Sequence, residues 1–308
     1  MRGPGGTLRY AIIGGTGMIG THLAKALRER GDEVWILTRG DAREEHHVQW
    51  DLSKGIQGVA RLEGLDGVFN LTGAPIADRP WTKKRRELLR ESRVDATAAI
   101  LESLATLDQK PGFFIGAGGL GLFGDCGDAA IEDDAEPGTG FLAELSRDWE
   151  EAHLAATEAL GCRSAVLRMS IVLSHTGGAF PLMVLPFRYG IGGWLGNGQQ
   201  YTSWISDRDC VGAFLFVAGD PSLAGAFNAT VPDPEPNKEW CRALGRALHR
   251  PVMTHAPKWA LRGALGELAN DLFLASVRAV PKRLLEAGFV FQDTDAEATF
   301  ARLVAEQG

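Results

Sequence analysis

Three glycines in the pattern Gly14-x-x-Gly17-x-x-Gly20 follow the short apolar run Leu8 to Ile13 and open the helix-like stretch Thr21 to Arg30. In the order strand, turn, helix, such glycines serve the tight turn, the close approach of backbone to a pyrophosphate, and the packing of helix on strand. The chemistry is anion binding by backbone. Open N–H groups and the positive end of a helix dipole hold a phosphate without any lysine. The turn, with Thr16, Met18 and Ile19 beside its glycines, therefore predicts a dinucleotide site, the alternative being a purely structural tight turn. The next run, Glu33 to Thr38, ends in Thr38-Arg39 with Arg43 close by. An NAD site normally presents Asp or Glu there to the ribose, whereas Arg suits the extra phosphate of NADP, so NADP is favoured over NAD. Asp41 offsets part of that charge. Asp51 and Leu52, after a third strand, either meet the adenine or form the start of a helix capped by Asp51.

These groups need a scaffold, and the chain supplies an alternating one. Further strands are predicted at His47 to Trp50, Gly67 to Leu71, Phe113 to Ile115 and Ser164 to Leu167, with helices over Trp81 to Leu107 and Phe141 to Leu160. Strands alternating with helices imply an α/β fold with a doubly wound parallel sheet and right-handed crossovers. The rhythm breaks past about Val172. A Rossmann domain is expected over 8–173 with a returning segment near 204–220, and a smaller substrate-side lobe over 174–203 and 221–308 laid on the carboxyl edge of the sheet.

Composition narrows the partners. Of 308 residues, 32 are Lys or Arg and 39 are Asp or Glu, a net charge of −7 that disfavours nucleic-acid binding. Cys126, Cys162, Cys210 and Cys241 form no C-x-x-C pair, which argues against a zinc ribbon or disulfide scaffold, and no metal site is expected. The start has no apolar signal core and no segment is long and apolar enough for a membrane, so a cytoplasmic protein acting on a small molecule is expected. The oligomeric state stays open.

The residues resemble a known family. The turn Gly14-Gly15-Thr16-Gly17, Asn70-Leu71-Thr72-Gly73-Ala74, Ser92-Arg93, Trp149-Glu150, Leu167-Arg168 and Ser203-Trp204-Ile205 look like the atypical extended short-chain dehydrogenase/reductases known as epimerase family proteins. Leu265-Gly266-Glu267, Pro281 and Gly288-Phe289 resemble the short module that ends them. The resemblance implies an extended Rossmann fold, NADP as cofactor, and an oxidoreductase or epimerase acting on a small polar or sugar-like substrate. It places Gly14, Gly17, Met18 and Ile19 at the pyrophosphate, Arg39 at the 2′-phosphate, Leu71, Thr72, Gly73 and Ala74 on the ribose and nicotinamide side, and Met169 and Ser170 by the carboxamide. The substrate would lie between Phe123, Gln199 and Trp204, although tryptophans such as Trp149 and Trp204 are more often core than ligand platform. Arg93 reads as a contact to cofactor phosphates or a substrate anion, or as a helix-surface cation.

The usual proton chemistry of that family is missing. There a Tyr with Lys four residues on moves the proton, the ammonium lowering the phenol pKa. Tyr10, Tyr189 and Tyr201 are followed four residues later by Gly14, Gly193 and Ile205. On alignment the Tyr position falls on Phe141 or Leu142, the Lys position on Leu145 or Ser146, and the Ser position near Gly118. No catalytic residue is assigned. Asp125, Cys126, Glu144 and Asp148 are the ionisable groups nearest the expected site, and a non-catalytic NADP(H)-binding role through a partner is the rival reading.

Overall fold

A computed structural model describes residues 6–42 and 44–307 of the chain; Arg43 and the first five residues, on which two expectations fall, lie outside the described residues. Continuous apolar runs become strands covered on both faces, as a parallel sheet between helices requires. They are β1 (Arg9–Ile13), β2 (Glu33–Thr38), β3 (His47–Asp51), β4 (Gly55–Ile56), β5 (Gly67–Asn70), β6 (Phe113–Gly119), β7 (Arg163–Met169) and β8 (Gly225–Ala229). The sheet order is β8-β7-β6-β5-β1-β2-β3-β4, parallel except where β4 turns back on β3. Strand order reverses between β1 and β5, and open α/β sheets bind ligands at such a crevice.

Helix α1 (Met18–Glu29) packs Leu23 and Leu27 on one face of the sheet, joined there by Phe214 of α7 (Asp207–Gly219). The predicted helix over Trp81 to Leu107 is α2 (Lys83–Arg90), a π turn at Glu91–Asp95, and α3 (Ala96–Ala105), whose Ile100 and Leu104 cover the opposite face. The stretch from Phe141 to Leu160 divides at Ala155 into α4 (Phe141–Leu154) and α5 (Ala156–Leu160).

The returning segment runs further than expected. Beyond 220 the chain adds β8, paired in parallel with β7 from Gly225 opposite Ala165 to Ala229 opposite Met169, so the smaller lobe does not begin at 221. Phe227 drives this, fully buried against the sheet, and Asp133 accepts the backbone N–H of Asn228. The smaller lobe is built from α6 (Phe180–Arg188), α8 (Asn237–Ala247), α9 (Lys258–Leu265) and α11 (Ala296–Ala305), whereas α10 (Lys282–Glu286) packs Leu284 into the main core beside β8. The core of the smaller lobe stacks Phe180 on Phe300 at 5.9 Å. Among the described residues no helix is long and apolar enough to cross a membrane.

Two polar arrangements tie α4 to the main sheet. Arg168 on β7 donates twice to the carboxylate of Glu150 on α4, at 2.6 and 2.7 Å, and once to the carbonyl of Asp133. Beneath β6, His153 is fully buried, its Nδ1 donating to Trp149 O and its Nε2 accepting from Asn70 Nδ2. Burial pushes the imidazole pKa down to about 4, against weaker opposition from those two bonds, so the ring is neutral. Gly116 makes room for it: a Cβ there would stand 1.9 Å from His153 Cδ2.

Candidate active site

The glycine turn has the geometry its spacing predicts. Gly14 holds φ +78°, and a Cβ on it would come within 2.7 Å of Leu71 O. Gly17 is the residue before α1; no side chain caps that helix and no acid stands in its first turn, which leaves Met18 and Ile19 at an electropositive end. A Cβ on Gly20 would lie 2.4 Å from Gly14 O, so this glycine is set by packing of helix on turn.

A groove of about 190 Å³ runs over the turn. Gly14, Thr16 and Gly17 form its floor, Thr38 and Arg39 close one side, and Leu71, Thr72 and Gly73 the other. Leu37, Trp50 and Ser92 complete it; none of these three is marked by the glycine pattern. Thr38 Oγ1 accepts the N–H of Gly40, shaping the turn that presents Arg39.

Asp51 and Leu52 are not among the residues that line the groove. Asp51 closes its own turn, accepting from Ser53 N and Oγ and from Lys54 N at 2.7–2.8 Å, bonds that hold its carboxyl below the usual range. Leu52 is exposed, and Trp50, the residue just before them, lines the groove.

On the opposite side the π turn after α2 folds inward. Ser92 Oγ accepts from Ala74 N, and Arg93 Nη2 donates to Ala74 O at 3.0 Å, so both residues brace the loop from Leu71 to Ala74. The Arg93 guanidinium also lies 5.0 Å over the Trp149 ring, beside Gly73. It has no carboxylate partner among the described residues, and burial lowers its pKa to about 10, leaving it charged at neutral pH. Trp149 is therefore a platform for an arginine within the protein. Met169 is buried in the main core, its Sδ 3.3 Å from Cys210 Sγ, and does not border the groove; Ser170 opens into a second cavity.

That cavity, of about 300 Å³, begins where β6 and β7 end, at Leu120, Gly121 and Ser170. Its other walls come from α6, α8, α9 and the segment after α9, with Met183, Phe187, Trp240, Leu244, Leu265 and Phe273 among them. The three expected substrate contacts lie elsewhere. Phe123 is buried under the Arg168 guanidinium, Gln199 points to solvent while its neighbour Gln200 lines the cavity, and Trp204 is 1% exposed within the small-lobe core. Tyr201, Thr202 and Ser203 stand where Trp204 was expected.

The missing proton pair is not replaced by the four acidic or thiol candidates. Asp125 accepts from Ser276 N and Gly127 N, Cys126 donates to Phe123 O with its thiol pushed up by burial, Asp148 pairs with Arg90, and Glu144 is exposed. None lines either space. Of the aligned Tyr positions, Leu142 forms part of the cavity wall and Phe141 packs on Trp81. Gly118 cannot regain the serine side chain in place, since a Cβ would meet Val166 Cγ1 at 2.6 Å. The sequence reading missed Asp271, an acid in the cavity wall. Burial and the Glu267 charge raise its carboxyl pKa, opposed by a bond from Leu142 N–H.

Relatives agree with this architecture. Residues 10–229 match the NAD dependent epimerase/dehydratase family, and residues 256–303 match DUF1731, a domain of unknown function. Epimerase family protein ML0860 of Mycobacterium leprae is 37% identical over 281 residues, covering 91% of each chain. YfhF of Bacillus subtilis, also an epimerase family protein, is 32% identical over 97% of this chain and 99% of its own. The crystal structure of human epimerase family protein SDR39U1 with NADPH superposes with a TM-score of 0.87 at 26% identity, covering 97% of this chain and 99% of the human one. The nucleotide-type turn, the eight-stranded sheet and these similarities together place the chain in the NAD dependent epimerase/dehydratase family, within its epimerase family protein branch.

Proposed function

We propose that the chain binds NADP(H) in the groove over the glycine turn and acts as an oxidoreductase or epimerase of atypical mechanism on a small molecule held in the adjoining cavity. Thr38-Arg39 carries this reading: an arginine borders the groove at the strand end where an NAD site presents an acid. The human relative's structure with NADPH supports it. The groove suits a dinucleotide because two of the three residues of its floor, Gly14 and Gly17, have no side chain, so a phosphate can approach backbone there. A bound nicotinamide would supply or take up a hydride. The protein's groups bind and orient. First-turn N–H groups of α1 meet phosphate, the Arg39 and Arg93 charges balance it, and Ser92 with Arg93 hold the Leu71 to Ala74 loop. The loop after β5 borders the groove and the ends of β6 and β7 border the cavity, and these three strands are successive neighbours, spaced about 4.8 Å apart.

Calorimetric titration with NADPH and NADH tests the assignment. Arg39→Ala should weaken NADPH by about 1.5–3 kcal/mol and leave NADH nearly unchanged, since charge-assisted bonds carry that much; equal losses would overturn it. One observation favours a second reading, a non-catalytic NADP(H)-binding protein: the positions of the usual Tyr, Lys and Ser hold no proton-transfer group that reaches the cavity. Absence of any NADPH oxidation across a broad panel of carbonyl compounds, with tight binding intact, would select it.

A further inference from the structure

Resting on the reading of the groove as a cofactor site, we propose that the cavity beside it takes an uncharged, largely hydrocarbon molecule rather than a nucleotide sugar. The wall chemistry carries this. Leu142, Met183, Phe187, Leu244, Leu265 and Phe273 reach it from four helices and the segment after α9, so hydrocarbon faces the space from several directions.

Several polar groups of the wall are bonded within the protein, whereas Ser170, Tyr201 and Asp271 also line the space and Gln200 Oε1 and Trp240 Nε1 have no partner among the described residues, which leaves room for a small uncharged polar group on the ligand. Thr202 Oγ1 accepts from Asn237 Nδ2, Ser203 Oγ donates to Val277 O at 2.6 Å, and Gln200 Nε2 donates to the carbonyls of Leu195 and Phe273. Cys241 donates to Asn237 Oδ1 and stays a thiol, its pKa pushed up to about 12 by burial.

A diphosphate needs cations or open helix ends, and the cavity offers neither. Among the described residues no Lys or Arg lines it, and the one charged residue that does, Asp271, has the same sign as a phosphate. Two helix N-termini reach the wall, and both are occupied. The first N–H groups of α8 donate to Gln200 O and Gly198 O, and Leu142 N–H in the first turn of α4 donates to Asp271. Outside, Leu182 and Leu185 on α6 and Trp259 on α9 are exposed, so the helices that wall the cavity also present apolar side chains to solvent. The volume of about 300 Å³ equals that of roughly ten liquid waters, which sets the ligand at on the order of ten non-hydrogen atoms.

Alkan-2-ones from six to twelve carbons, displacing the neutral dye Nile red from protein with and without NADPH, test the proposal. Affinity should tighten about fourfold per methylene, the equivalent of ~0.8 kcal/mol of buried CH₂, until the cavity is full. UDP-glucose at millimolar concentration should not displace the dye. Ala275→Trp, which fills the cavity, should weaken the longest bound ketone at least tenfold. Leu261→Lys, at a half-exposed wall position, should do the same if the tryptophan variant fails to fold. A flat chain-length series, ketone binding indifferent to both variants, or displacement by UDP-glucose would overturn the proposal. NADPH affinity, titrated separately, decides the groove: its absence would overturn the cofactor reading while the ketone series still decides the cavity.

Discussion

Acidification destabilises the fold through His153. The folded protein holds the ring neutral with a pKa of about 4, whereas an unfolded chain protonates near the ordinary 6.5. Between those values the unfolded state binds more protons. The stability linked to this ring is therefore complete above about pH 6.5, is lost as pH falls, and stops changing below about 4. A gap of about 2.5 pH units at 1.36 kcal/mol per unit gives about 3 kcal/mol, an order-of-magnitude figure. That is a large share of the 5–15 kcal/mol typical of a domain. Urea unfolding measured from pH 7 to 4 for the parent and for His153→Gln isolates the effect, because carboxylates titrate equally in both and cancel in the difference. The variant starts less stable at pH 7 and converges on the parent as pH falls. Parallel curves, with a constant difference across the range, would refute the buried neutral ring as the source.

Gly17→Ala should spare stability, since its Cβ would meet only Gly14 O at 3.3 Å, yet lose NADPH affinity at least tenfold in calorimetry. Gly20→Ala should do the reverse first, lowering thermal stability by about 1–3 kcal/mol through overpacking, because its Cβ would stand 2.4 Å from backbone. Arg93→Met should weaken NADPH by about tenfold or more in the same titration; an unchanged affinity would confine Arg93 to bracing Ala74. Common nucleotide-sugars should turn over far below the ordinary median of about 10 s⁻¹ in epimer analysis, since general acid–base help worth ~10²–10⁴-fold has no Tyr-x-x-x-Lys to supply it.

The main sheet was legible in sequence because doubly covered strands are continuous apolar runs, as β1, β2 and β5 are. β8 escaped for the opposite reason: Gly225-Ala226-Phe227-Asn228-Ala229 has one large apolar side chain, and only its pairing with β7 makes it a strand. The floor of the groove was legible because local geometry demands glycine at Gly14 and close packing demands it at Gly20. Trp50 was not, since alternation along β3 says which residues share a face but not which residue meets the groove. The cavity was least legible of all. Its walls come from segments as far apart as Leu120 and Val277, and no spacing rule joins them. Gln199 and Trp204 missed it by one position each, the distance at which a chain turns a side chain from one face to the other.

The imidazole beneath β6 also fixes an order on change. Gly116 heads a run of small residues, Gly116-Ala117-Gly118-Gly119, and a Cβ at its first position would overlap the His153 ring, 1.9 Å from Cδ2. Position 116 cannot gain a side chain while the ring is in place. Position 153 can shrink first, at the expense of a cavity and one unpaired N–H on the Asn70 amide, which keeps its bond to Thr97, and only then can 116 fill the space. Mutational paths through this part of the core are therefore ordered: the ring must leave before position 116 gains a side chain, and the glycine must return before the ring can.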